Sequence, residues 1–150
     1  MPVAPIPEGY HSVTPYLMVR GVGRLIGFLK AAFDATEVVP AMKRSDGTIA
    51  HAEYRIRDSI VMMGEPMGRF EPMPSTIHLY VSDADAVYER ALRAGAASIM
   101  EPANQFYGDR SAGVRDSCGN IWWIATHTED VGPQELAKRA EAWLKQQRRG

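Results

Sequence analysis

The chain has one cysteine, Cys118, and therefore no internal disulfide, which fits a reducing compartment. It also lacks an excess of charge of either sign: 17 Lys and Arg stand against 18 Asp and Glu. The only basic cluster is the short tail Gln146-Gln147-Arg148-Arg149, whereas a nucleic-acid-binding surface needs a basic stripe to meet the phosphates. No apolar run approaches the ~18 residues of a membrane span. The opening MPVAPIPEGYH has neither the basic n-region nor the apolar h-region of a secretory signal. These absences predict a soluble, cytoplasmic protein that binds neither nucleic acid nor membrane. The remainder is ordinary for a globular chain, 45% hydrophobic and 23% charged over 150 residues, enough for a sizeable core.

Hydrophobic periodicity divides the chain into elements. Residues 1–9 carry Pro2, Pro5 and Pro7 and read as an extended lead-in. Residues 12–19 alternate as a strand, with Val13, Leu17 and Val19 on one face and Thr14, Tyr16 and Met18 on the other; Pro15 predicts an edge position or a bulge. Residues 21–33 switch to helical period, with Val22, Leu25, Ile26, Leu29 and Phe33 on one face. Strands follow over 36–44, 49–56 and 59–63, separated by Ser45-Asp46-Gly47 and by Arg57-Asp58. After a Gly/Pro-rich linker, the pattern begins again. A strand over 75–81 sets Ile77, Leu79 and Val81 against Thr76, His78 and Tyr80. Ser82 is the expected N-cap of a helix over 83–94, which Gly95 stops. Strands over 97–100, 108–115 and 121–126 complete the second unit, and a helix over 132–145 closes the chain with Leu136, Ala140, Trp143 and Leu144 as a stripe.

The order is thus β-α-β-β-β twice. Thr14 aligns with Thr76 and Val19 with Val81, an offset of 62 (76 − 14; 81 − 19), while Met62 aligns with Trp123 at an offset of 61 (123 − 62). A repeat this long reads as two fused supersecondary units, not a solenoid. The strings VTPYLMVRG, HAEYRIRDS, IHLYV, FYGDR, VRD-x-x-GN-x-W and IATH-x-ED resemble the vicinal oxygen chelate superfamily. That group holds glyoxalase I, bleomycin-resistance proteins and extradiol dioxygenases, and the strings are most similar to its small bacterial PhnB-like, glyoxalase-like subgroup. The resemblance implies an α+β fold: two tandem βαβββ modules forming cupped, mostly antiparallel sheets, plus a C-terminal helix. The expected layout is a single glyoxalase-like domain with module one about 10–64, a linker over 65–74, module two about 75–128 and the last helix about 132–147. A homodimer is also implied, with Trp143 of the final helix as a candidate contact.

Metal-dependent members of that superfamily place His, Gln or Glu ligands on the first and last strands of each module. Those positions fall here on Thr14, Met62, Thr76 and Trp123. Two hydroxyls, a thioether and an indole do not replace imidazoles and carboxylates. The usual metal site therefore reads as lost, and no cofactor is expected.

Several residues carry chemistry beyond the repeat. His51 and Glu53 project from one face of a strand, with Arg55 continuing the row. They could act as a base or substrate contact, as a displaced metal site completed by His78, or as a solvent-facing polar row. His78 and Tyr80 share the cup side with Thr76, as Tyr16 does in module one. Tyr107, Asp109 and Arg110 stand at a strand entry, where Arg110 is either a clamp for a carboxylate, phosphate or phosphonate or the structural partner of Asp109 or Asp116. His11 and His127 read as structural. Cys118 occupies a turn where the subgroup has an apolar residue, and nothing near it activates a thiolate.

The expected ligand-contacting set is Tyr16, His51, Glu53, Met62, Thr76, His78, Tyr80, Tyr107, Arg110 and Trp123, with no catalytic residue assigned. The first functional reading is a metal-independent protein that binds a small organic molecule in an aromatic-lined cup. The second is an enzyme: a lyase or isomerase with Glu53 as base, or a metal-dependent glyoxalase or dioxygenase with an unforeseen ligand set. The third is a structural or regulatory dimer with a filled cup.

Overall fold

The computed structural model describes residues 2–149. Module one runs β1 (Tyr16–Met18), α1 (Val22–Phe33), β2 (Thr36–Lys43), β3 (Ile49–Ile56) and β4 (Ser59–Gly64). Module two repeats the order with β5 (Thr76–Tyr80), α2 (Ala84–Arg93), β6 (Ala97–Asn104), β7 (Asp109–Arg115) and β8 (Ile121–His127). A last helix, α3 (Pro133–Arg149), follows. The two sheets have the same strand order, β1-β4-β3-β2 and β5-β8-β7-β6. In each, the first strand pairs parallel with the last because a helix carries the chain across, and the hairpin pairs are antiparallel. The α+β, two-module architecture is the one the repeat implies.

The pairing register repeats the sequence offsets. Tyr16 lies opposite Met62 across β1 and β4, and His78 lies opposite Trp123 across β5 and β8. The first strands thus align at 62 and the last at 61, as their sequences do. β1 is shorter than the alternation predicts. Pro15 has no N–H to give a ladder, so regular pairing starts at Tyr16, although the Pro15 carbonyl still accepts from Met62 N at 2.9 Å. Val13 is consequently exposed, not on the face of buried Leu17 and Val19. Edge position also explains why β6 continues to Asn104, beyond the expected 97–100: Pro102 sits on an outer strand where the ladder shifts register between Met100 and Ala103.

The helices pack their apolar stripes on the sheets. α1 buries Val22, Leu25, Phe28, Leu29, Ala32 and Phe33. It starts at Gly21, whose φ of 82° suits glycine, and the Gly21 N–H donates to Glu65 Oε1 at 2.8 Å. α2 is capped by Asp83, which accepts from Ala86 N at 3.1 Å, one residue past the expected Ser82. The core joins both modules: the Phe33 ring of α1 lies 4.9 Å from that of Trp122 on β8, which is fully buried.

Beneath this contact, the Asp116–Asn120 turn is a closed polar unit. Buried Asp116 accepts from Cys118 N at 2.9 Å, Asn120 N at 3.0 Å, Asn120 Nδ2 at 3.0 Å and Trp122 Nε1 at 2.9 Å. Asn120 Oδ1 in turn accepts from Ser75 N at 2.9 Å, tying the turn to β5. Burial raises the Cys118 thiol pKa, with the nearby Asp116 charge adding to it. α3 buries none of its side chains and extends to Arg149, past the expected end.

Candidate functional site

Module two carries the cup. Strand alternation sends Ile77 and Leu79 toward the core and leaves His78 and Tyr80 on the opposite, open face. Pairing builds one row across that face: His78 opposite Trp123, Trp123 opposite Gly113, and Gly113 opposite Met100. Gly113 supplies the floor. A Cβ there would stand 2.4 Å from Trp123 Cζ3, so only glycine lets the indole lie across β7.

Above this row is a cavity of about 370 Å³. Its walls are the Trp123, Phe106, Tyr107 and Trp143 rings with Met100, and its polar side chains are His78, Gln105 and Ser111. Phe106 meets Tyr107 edge-on at 5.2 Å, and Trp143 lies tilted against it at 5.4 Å. Trp143 reaches the cavity because Arg139 straps α3 to the rim. The Arg139 guanidinium donates to the Phe106 carbonyl at 3.1 Å and pairs with Glu129 at 2.8 Å and Glu135 at 3.1 Å. These carboxylates hold its pKa above the usual value. Trp143, a candidate dimer contact from the helical stripe, also stands on the cup, with the residue 40% exposed. The helical stripe is legible in the sequence, but its partner is not.

A second network fixes the rim. Asp109 is 3% exposed, accepts from Tyr80 Oη at 2.9 Å and binds His127 Nδ1 at 2.8 Å. His127 Nε2 reaches Asp130 at 2.7 Å. Hydrogen bonds to Asp109 and then Asp130 raise the His127 pKa, and the bond to Asp109 raises that of Tyr80. Burial raises the Tyr107 phenol. His127, expected to be structural, is part of the scaffold that sets Tyr80.

Module one gathers Tyr16, His51, Glu53 and Met62. Glu53 and Tyr16 both stand opposite Met62 on its two neighbouring strands. His51 Nε2 lies 2.7 Å from Glu53 Oε2, and Tyr16 Oη lies 3.1 Å from His51 Nδ1. Tyr10, from the lead-in, donates to Glu53 Oε1. Both carboxylate oxygens are thus engaged, so Glu53 orients His51 and is not a free base.

The expected set divides accordingly. His78, Tyr107 and Trp123 line the cup, with Tyr80 at its rim. Tyr16, His51, Glu53 and Met62 share the module-one face. Thr76 is exposed at the start of β5, outside the cavity wall. Arg110 belongs to neither group: its guanidinium forms a two-pronged pair with Asp85 of α2 at 2.7 and 3.1 Å. Alternation along β7 points it to the helix side, away from Asp109. Its partner is neither Asp109 nor Asp116.

The displaced metal site of His51, Glu53 and His78 does not assemble. His78 belongs to the other sheet, with its ring 4.8 Å from Tyr80. Among the described residues, no three His, Cys, Asp or Glu side chains are grouped to hold a metal ion. The donors at Thr14, Met62, Thr76 and Trp123 do not fit the superfamily's usual divalent ion. A narrower cleft of about 170 Å³, lined by Tyr10, Thr14, Leu79 and Trp122 among others, runs between the modules. It is below the range of ordinary ligand sites.

The fold is the one seen in solved glyoxalase/bleomycin-resistance/dioxygenase proteins. Among solved structures, TioX from Micromonospora sp. ML1 superposes with a TM-score of 0.65 at 24% identity, covering 78% of this chain and 98% of that one. The fosfomycin resistance protein FosX from Mesorhizobium loti gives 0.58 at 22% identity, over 79% and 92%. A glyoxalase/bleomycin resistance protein/dioxygenase from Nocardioides gives 0.59 at 17% identity, over 82% and 87%. No family model matches the chain. The chain belongs to the same family as the uncharacterized protein Mb0911c of Mycobacterium bovis, 33% identical over 138 residues and covering 83% of this chain and 89% of that protein. No helix among the described residues is long and apolar enough to cross a membrane.

Proposed function

We propose that this protein binds one small, flat, largely apolar organic molecule in the module-two cup, without the metal its superfamily commonly uses. One observation carries the reading: four aromatic rings line an open cavity of about 370 Å³ whose polar groups are few, chiefly His78, Gln105, Ser111 and the Tyr107 hydroxyl. Apolar walls with a few convergent polar groups are what a small-molecule site needs, and offset or edge-to-face stacking adds about 0.5–1.5 kcal/mol per aromatic pair. Trp123 supplies the stacking face, and His78 the polar anchor beside it. FosX, a resistance protein named for a small molecule, shares the fold. A cytoplasmic homodimer, in which a second copy extends the cup, belongs to the same proposal.

The test is a binding screen on the full chain, read by tryptophan fluorescence and melting temperature against a panel of planar aromatic compounds. Binding that is lost in Trp123→Ala and weakened in His78→Ala supports the cup. A ligand whose affinity is unchanged in both variants places the site elsewhere. Elemental analysis of the purified protein checks the second half of the proposal: stoichiometric zinc, nickel, manganese or iron that disappears in a His51→Ala/Glu53→Ala variant overturns it.

A further inference from the structure

The hydrogen-bonded row on module one is not used by the cup. From solvent inward, it runs from exposed Tyr16 through half-buried His51 to buried Glu53. With both Glu53 oxygens taken by Tyr10 and His51, the imidazole is held with Nε2 toward the carboxylate. That leaves Nδ1 as the acceptor facing the Tyr16 hydroxyl 3.1 Å away. A hydroxyl, an imidazole and an orienting carboxylate in this order are the parts of a proton-moving triad, recognised by geometry and not by fold. Close packing fixes the phenol: a Cβ on Gly64 would stand 2.6 Å from Tyr16 Oη, so glycine makes room for it.

The Tyr16 side chain opens on a cavity of about 460 Å³ walled by Met18, Met67 and Phe70, reached by Arg44 and Arg69, and also lined by Glu65, whose two carboxylate oxygens accept from Gly21 N and Ile49 N. Arg44 is held by Thr48 and by the Glu65 carbonyl, each at 3.2 Å. Arg69 lies 5.3 Å over the Phe70 ring, and no carboxylate among the described residues pairs with it. The cavity thus combines an apolar wall, a free guanidinium and a phenol at the end of a relay. These features select an organic anion with an apolar body.

We infer that module one holds a second site, separate from the module-two cup, where Tyr16, backed by His51 and Glu53, catalyses keto–enol exchange of a 2-oxo acid bearing an apolar or aromatic side chain. Tyr16 Oη takes a proton from the carbon next to the carbonyl as its own proton passes to His51 Nδ1. The C–H electron pair becomes the enolate, and Glu53 balances the imidazolium. The proton on Tyr16 then goes to the enolate oxygen, and His51 returns its proton to the phenol oxygen. The substrate gains an O–H for the C–H it lost, and no oxidant, reductant or metal enters. Arg69 meets the carboxylate, and Met67 and Phe70 receive the apolar group.

The experiment is deuterium incorporation at C3 of phenylpyruvate in D₂O, followed by NMR with the full chain. General acid–base catalysis of this kind contributes about 10²–10⁴-fold. Exchange should therefore exceed the buffer rate by about 100-fold or more and fall to near the buffer rate in Tyr16→Phe and His51→Gln. Exposed Arg69→Ala should raise KM with a smaller effect on kcat. Exchange no faster than buffer with the wild-type chain overturns the proposal, as does exchange that Tyr16→Phe retains. Neither result bears on the module-two cup, whose ligands are read through Trp123.

Discussion

The Trp123 indole lies directly across the backbone of Gly113, so closely that a Cβ there would approach Cζ3 to 2.4 Å. The aromatic floor of the cup therefore depends on a missing side chain on the adjacent strand. Gly113→Ala should rotate the indole out of its place at an overpacking cost of about 1–3 kcal/mol. Its φ is not in the left-handed region, so the backbone itself tolerates alanine. The expected result is a folded protein with an altered near-UV circular dichroism spectrum and weakened cup binding. An unchanged spectrum would mean the indole does not rest on Gly113.

Asp116 makes a different kind of prediction, about stability. Its buried carboxylate accepts from two backbone amides, the Asn120 side chain and the Trp122 indole. Asp116→Ala strands several buried donors, each costing about 1–3 kcal/mol when unsatisfied. Urea denaturation should show a loss of about 3 kcal/mol or more. Ser117→Ala, one residue away at an exposed position, should change stability by no more than about 0.5 kcal/mol. Equal effects would deny Asp116 its organising role.

Much of this geometry is legible in the amino-acid sequence. The turn residues Ser45-Asp46-Gly47 and Arg57-Asp58 bound β3, and the offsets of 62 and 61 align Tyr16 with His78 and Met62 with Trp123, positions that the two sheets then pair in the same register. Those are local or repeat-encoded signals. Arg110 is half legible: alternation puts it on the face opposite Asp109, but its partner Asp85 lies on a helix 25 positions away. The Glu53–His51 pairing follows from i, i+2 spacing, whereas Tyr10, which takes the other oxygen, comes from an irregular lead-in with no periodicity to read. Trp143 escapes sequence reasoning for a related reason. A stripe on a helix says that something is covered, not what.

The rim network should respond to pH. Hydrogen bonds to Asp109 and Asp130 raise the His127 pKa in the folded state above its ordinary value near 6.5. A raised folded-state pKa makes this group's contribution fully present below about pH 6.5 and lost as pH climbs through the folded value. The urea midpoint of the wild-type chain should therefore decline across that window relative to His127→Gln, which lacks the titration. A difference between the two proteins that does not vary with pH would detach His127 from stability. Tyr80, which shares Asp109, offers a local reporter: its side-chain NMR shifts should move with the same titration.

Arg139 tests whether α3 is part of the cup or an appendage. The helix buries no side chain, and its polar ties to the rim pass through Arg139 to the Phe106 carbonyl and Glu129. Such exposed ion pairs contribute about 0–1 kcal/mol each, so Arg139→Ala should leave the global unfolding midpoint nearly unchanged. Local consequences should be larger. Once untied, Trp143 loses its place 5.4 Å from Phe106, and the amides of 133–149 should exchange hydrogen faster while those of β7 and β8 stay protected. If the cup needs its fourth aromatic wall, ligand affinity falls with the helix protection, and Trp143→Ala in the otherwise intact helix reproduces the loss of binding without the faster exchange. Affinity that survives both variants would leave Phe106, Tyr107 and Trp123 as the complete aromatic wall and α3 as a cover that the ligand does not touch.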